Sequence, residues 1–178
     1  MPEEEGGKAV DTLWETLDKA AGLLVKLGCV LVGLMALHVV LDITGRYVFN
    51  APLPGTVEFV SYYYMVGVIF CPLAYVQSRR GHFAAEIFTQ RMPPRVIALL
   101  EAIVTLVTAL LLAFLTWRTA AYALEFTQVR ESVQTAYFTI PTWPSRWFVP
   151  LGLGLMALYA LMQALLALAG RKPGDPAR

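Results

Sequence analysis

Charge is scarce in this chain, and so are the side chains on which most catalytic sites are built. Asp, Glu, Lys and Arg make up 15% of its 178 residues, against roughly a quarter in soluble domains. Histidine occurs twice, as His38 and His82, and cysteine twice, as Cys29 and Cys71. No CxxC pair, GxxxxGK loop or HExxH helix is present, which removes the usual signatures of thiol redox chemistry, nucleotide hydrolysis and zinc proteolysis. Both cysteines fall in apolar runs, where a small buried role is the default and a disulfide the exception.

Apolar residues are abundant, at 57% with a mean hydropathy of +0.58. They concentrate in four runs, 23–43, 59–77, 96–117 and 147–169. About 20 residues at ~1.5 Å each cover a hydrocarbon core of ~30 Å. The expected fold is therefore an all-α integral membrane protein with four transmembrane helices. Three segments follow: a cytoplasmic N-terminal segment (1–22), a four-helix transmembrane domain (23–169) and a cytoplasmic tail (170–178). The parts outside lipid are too short for a separate soluble domain of ordinary size.

Orientation is read from the basic residues. Lys8, Lys19, Lys26, Arg79, Arg80, Arg91, Arg95, Arg171, Lys172 and Arg178 lie on the side that holds both termini and the second loop, which is ten of the fourteen. Arg46, Arg118, Arg130 and Arg146 lie on the other. Short basic loops stay cytoplasmic, so both termini are expected inside and loops one and three outside. The acidic flank Glu3, Glu4 and Glu5 and the length of the first run argue against a cleaved secretory signal.

Val10, Leu13, Trp14, Leu17 and Ala21 are spaced like one face of a helix. The segment reads either as an amphipathic helix on the inner membrane surface or as an extension of the first span. That span ends in His38, Asp42, Arg46 and Asn50, four residues apart, a polar stripe that needs water or protein around it. An exposed Asp42–Arg46 pair contributes only a few tenths of a kcal/mol, so an interface role competes with that of a solvated helix end. Pro52, Pro54 and Gly55 then force a turn. Glu58 opens the second span, where a carboxylate suits the helix N-terminus. Tyr62, Tyr63 and Tyr64 look like an interfacial belt, and Pro72 is a candidate kink.

In the second loop, Phe83, Ala84, Ile87 and Phe88 suggest a short helix between basic residues. Pro93 and Pro94 are expected to start the third span. Glu101 lies about two turns in, at a depth similar to that of Lys26 in the first span, which makes the two candidates for an intramembrane pair. The third loop, from Arg118 to Arg146, is aromatic, with Tyr122, Phe126, Tyr137, Phe138 and Trp143. Its segment 139–145, with Pro141 and Pro144, is expected to form a rigid re-entry. Gly152, Gly154, Ala157, Ala160 and Ala164 allow close helix approach in the fourth span.

Gly45-Arg46-Tyr47-Val48-Phe49-Asn50, then Pro52 to Gly55, Glu58, Arg79-Arg80-Gly81-His82 with Glu86, Arg91-Met92-Pro93-Pro94-Arg95 and Ile140-Pro141-Thr142-Trp143-Pro144 form an ordered set. Over roughly residues 20 to 168 this set resembles the small, DctQ-like membrane subunit of tripartite ATP-independent periplasmic (TRAP) transporters. Ala85-Glu86 departs from it, since the family more often has a hydrophobic residue followed by aspartate.

The resemblance implies a non-enzymatic accessory subunit of the bacterial inner membrane, without cofactor, metal or nucleic-acid partner. Its partners would be membrane lipids, a large membrane subunit that moves the substrate and a periplasmic binding protein that captures it. Uptake of organic acids would be sodium-driven. Arg46, Asn50, Glu58, Arg79, His82 and Trp143 become partner-interface candidates by motif match and span-end position. Two other classes compete. A haem protein would need paired axial ligands, and only His38 lies in a span. A self-sufficient homo-oligomeric transporter would use Glu101 as its coupling carboxylate.

Overall fold

The computed structural model describes residues 2–79, 94–135 and 138–168. Four helices among them are long and apolar enough to cross a membrane, Thr12–Val48, Thr56–Ser78, Ala102–Gln128 and Ser145–Leu166. The chain is thus a four-span helical membrane protein. The first span extends well past its expected run at its N-terminal side and the third at its C-terminal side, while the second and fourth stay within three residues of theirs.

Helix α1 (Pro2–Val48) runs for 47 residues, about 70 Å at ~1.5 Å per residue and more than twice a hydrocarbon core. The N-terminal segment is therefore continuous with the first span. Its apolar stripe meets protein: Ala21 is fully buried with Ala74 and Tyr159, and Trp14, Leu17 and Leu155 pack around them. Trp14 sets its ring edge-on to Tyr159 at 5.6 Å, and the Tyr159 hydroxyl donates to Asp18 Oδ1 at 2.5 Å. Of the two readings of this stripe, extension of the span fits; Leu13, on the same segment, stays 56% exposed.

The second span is broken into α2 (Thr56–Phe59), a π-helical turn (Val60–Tyr64), α3 (Met65–Phe70) and α4 (Leu73–Arg79). The interruption between α3 and α4 falls at Cys71 and Pro72, where proline lacks an amide and its ring crowds the preceding turn. Helix α5 (Pro94–Gln128) begins with Pro94, a residue suited to the first helical position. It continues ten residues beyond Arg118, so Tyr122 and Phe126 stand on a helix, which corrects their placement in a loop. Sustained helix-forming sequence with no proline before Pro141 explains the extension.

After α5, β1 (Ser132–Gln134) pairs antiparallel with β2 (Thr139–Pro141), Val133 opposite Ile140. The segment expected to be a rigid re-entry is thus partly strand, followed by a 3-10 turn (Ser145–Trp147) leading into α6 (Phe148–Leu168). The short helix expected around Phe83 to Phe88 lies outside the described residues, as do Pro93 and Tyr137.

The first span packs on the second, the second on the fourth and the fourth on the third. The fourth is central: 39% of its most apolar stretch is buried, against 6% in the first span. Ala109 and Leu112 of α5 meet Ala157 and Ala160 of α6, flanked by Leu153 and Met156, and such small residues let helices approach closely in lipid. Against the second span, contact reaches the backbone. A Cβ at Gly152 would stand 2.1 Å from the Phe70 carbonyl oxygen, a distance no side-chain-bearing residue tolerates.

Candidate functional site at the hairpin end of the bundle

Polar interactions gather where α1 ends, the second span begins, α5 ends and α6 begins. Asp42 is buried, and its Oδ1 accepts the Leu53 amide at 2.9 Å. Its Oδ2 accepts Arg46 Nη2 at 3.2 Å. A buried carboxylate needs such donors, and here one is the amide of the chain turning back toward the second span. Asn50 takes a left-handed conformation, φ 49°, as the helix ends, a region asparagine tolerates better than most residues. His38, half-buried, stands 3.4 Å from both the Tyr64 hydroxyl and Thr56 Oγ1. Three members of the polar stripe thus serve the junction between spans one and two.

The π-helical turn sends neighbouring tyrosines to different partners. Tyr64 faces His38, while the Tyr63 hydroxyl donates to the Pro141 carbonyl of β2. Gly55, at φ 86°, lies under Phe138, whose ring would be 2.5 Å from an added Cβ. The dihedral favours glycine there, and any added Cβ would also oblige the Phe138 ring to shift.

Glu131 closes the other side. Its carboxylate accepts Arg146 Nε at 3.0 Å and Nη2 at 2.8 Å, the two-point geometry that makes Arg–carboxylate pairs strong. Its backbone carbonyl accepts the Thr142 and Trp143 amides at 2.9 and 3.4 Å. The Arg146 guanidinium also lies 4.6 Å above the Phe126 ring, and Trp147 Nε1 donates to Thr127 Oγ1 at 3.1 Å. The bond from Arg146 holds the Glu131 carboxyl below the ordinary carboxylate range. The hairpin is consequently tied to the second span through Tyr63, and its flanks at Glu131 and Arg146 are tied to each other. What results is a shaped polar platform.

Arg46, Asn50, Glu58 and Trp143 belong to this end. Glu58 sits half-buried in the first turn of α2. Arg79 ends α4 at the opposite end, and His82 lies outside the described residues. Lys26 is exposed on α1. Glu101 falls in α5 seven residues after Pro94, but its side chain lies outside the described surroundings, so the expected pairing with Lys26 remains an expectation. Glu131, Arg146, Tyr63 and Thr127 are structural members of the platform that spacing along the chain does not single out. Glu131 and Arg146 are fifteen residues apart, beyond any helical rule, and the signal was only their shared loop.

The family model describing the DctQ component of tripartite ATP-independent periplasmic transporters matches residues 35–170. Comparison with curated proteins and with solved structures gave no match. The matched region contains the whole platform, the ends of all four spans around it and more than half of the chain. The chain therefore belongs to the DctQ component family of these transporters.

Proposed function

We propose that this chain is a non-enzymatic accessory subunit that braces a large membrane subunit and offers its hairpin end to a soluble substrate-binding protein. In this reading it sits in the bacterial inner membrane with both termini cytoplasmic and the hairpin end in the periplasm. The distribution of basic residues, ten against four, supports that orientation. Uptake would be of organic acids and driven by a sodium gradient, with selectivity residing in the partners.

The observation that carries the proposal is where the fixed polar structure lies. Ion pairs among the described residues, Glu15–Lys19, Asp42–Arg46 and Glu131–Arg146, stand at or beyond the span ends. Secondary transporters usually hold their substrate near the bilayer midplane between repeated, interrupted helices. A rigid polar end on a bundle whose first span is largely uncovered suits a scaffold better than a carrier.

The test is solute uptake into proteoliposomes under an imposed sodium gradient. The chain alone, and the chain with the binding protein, should give no uptake; adding the large membrane subunit should restore it, and collapsing the gradient should abolish it. Uptake by this chain alone, lost with Glu101→Gln, would overturn the proposal in favour of a self-sufficient carrier.

A further inference from the structure

Helix α5 carries an exposed stripe that changes character along its length. Val104, Val107, Leu111 and Phe114 are each 56% exposed. The same face continues, at spacings of three and four, with Arg118, Tyr122 and Glu125, all exposed. Arg118, Ala121, Tyr122 and Glu125 line an open cleft of about 180 Å³. The Arg118 guanidinium lies 5.3 Å from the Tyr122 ring centroid, and its Nη2 is 3.5 Å from the Tyr122 hydroxyl. That contact steadies the guanidinium while leaving most of its five N–H donors available.

Arg118 and Glu125 are opposite charges separated by about 10 Å of axial rise, and no ion pair joins them among the described residues. Arg118 is the first charge after the apolar run, next to Trp117, which is 69% exposed. Tryptophan and tyrosine at such a position mark the headgroup level of a bilayer. The geometry points to a binding site for a zwitterionic aminophospholipid, with acyl chain along Val104 to Phe114, phosphodiester on Arg118 and primary ammonium on Glu125.

The charges lie in the order the ligand requires. In an ethanolamine phospholipid the phosphate is bonded nearer the acyl chains than the amine, and along α5 the cation stands nearer the apolar track than the anion. Arginine binds phosphate oxygens at two points, so Arg118 serves any phospholipid. Glu125 supplies discrimination. It accepts hydrogen bonds from a primary ammonium, finds no donor on the quaternary ammonium of a choline lipid and has no cation to meet on a glycerol lipid. A partner helix laid on the same stripe would be served by the apolar residues but leaves the order of the two separated charges without a reason.

The test is native mass spectrometry of the full-length chain with equal amounts of phosphatidylethanolamine, phosphatidylglycerol and phosphatidylcholine. The ethanolamine adduct should dominate. Arg118→Ala should reduce every phospholipid adduct about fivefold, which corresponds to roughly 1 kcal/mol. Glu125→Gln should retain adducts but abolish the preference for the ethanolamine lipid. Both side chains are exposed, so neither change threatens the fold. Equal adducts of all three lipids, or a preference untouched by both substitutions, would overturn the site. So would unchanged adducts with lost co-purification of the large subunit in Arg118→Ala, which would assign the stripe to protein contact.

Discussion

The two ends of the bundle are held together by different means. At the hairpin end, short irregular segments are fixed by directed polar bonds: Asp42 to the Leu53 amide, Tyr63 to Pro141, and Glu131 to Arg146 and to the Thr142 amide. At the opposite end, the extension of α1 is held by contact between regular helices. Ala21, Ala74 and Tyr159 form its centre, with two polar clasps, Tyr159 to Asp18 at 2.5 Å and Gln77 Nε2 to Gln163 Oε1 at 3.2 Å. Helices satisfy their own backbone and need only side-chain contact to dock, whereas a loop must find partners for every buried amide. Among the described residues, the hairpin end therefore has a shape set by directed polar bonds, and the other end a packing set mainly by helix contact.

The sharpest way to break both ends together is at the contact between them. Gly152→Leu places side-chain atoms where the Phe70 carbonyl already lies, so α6 must move off the second span, at a cost of about 3 kcal/mol or more. Thermal unfolding in detergent should fall by many degrees, and proteolysis should accelerate at both ends. Cleavage confined to one end would mean that the two ends are stabilised independently.

Next in size is the Glu131–Arg146 clasp. Arg146→Gln leaves the carboxylate without its charged partner, an expected loss of about 1–2 kcal/mol after discounting for the solvent that reaches both side chains. Hydrogen exchange at Thr142 and Trp143 should quicken while residues 12–21 are unaffected. The sign of the pH dependence follows from the lowered carboxyl of Glu131. Its contribution is complete above the ordinary carboxylate value of about 4 and disappears as pH falls through the depressed native value. Acid should thus loosen the hairpin in the parent chain, and this dependence should flatten in Arg146→Gln. An unchanged acid profile would show that another carboxyl governs the platform.

The smallest effect is expected at the other end. Tyr159→Phe keeps the ring against Trp14 but removes the bond to Asp18, a loss of about 1 kcal/mol. Limited proteolysis should then cut faster within residues 12–21 and no faster in the hairpin. Equal acceleration in the hairpin would mean that strain passes along α6 and would erase the distinction between the ends.

Much of this was legible in the chain because one physical signal is strong. Long uncharged runs have few alternatives to spanning lipid, and the Trp14, Leu17 and Ala21 spacing announced a covered face without saying what covers it. The hairpin was less visible. Its strands are three residues each, Ser132–Gln134 and Thr139–Pro141, too short for alternation to register and rich in residues common in loops. The site was legible in part. Arg46, Asn50, Glu58 and Trp143 were marked by motif and position, but Glu131 and Tyr63 were not, since their partners come from distant parts of the chain.

By itself, then, the sequence determined the number of spans, the polar stripe from His38 to Asn50 and the resemblance that the family match bears out, because hydropathy and local spacing are properties of neighbouring residues. Only the tertiary structure decided that the fourth span is central, that Gly152 admits the Phe70 carbonyl and that Glu131 and Arg146 close the platform. Those outcomes depend on which surfaces meet in space, and helices with nearly uniform apolar faces carry no local mark of their neighbour.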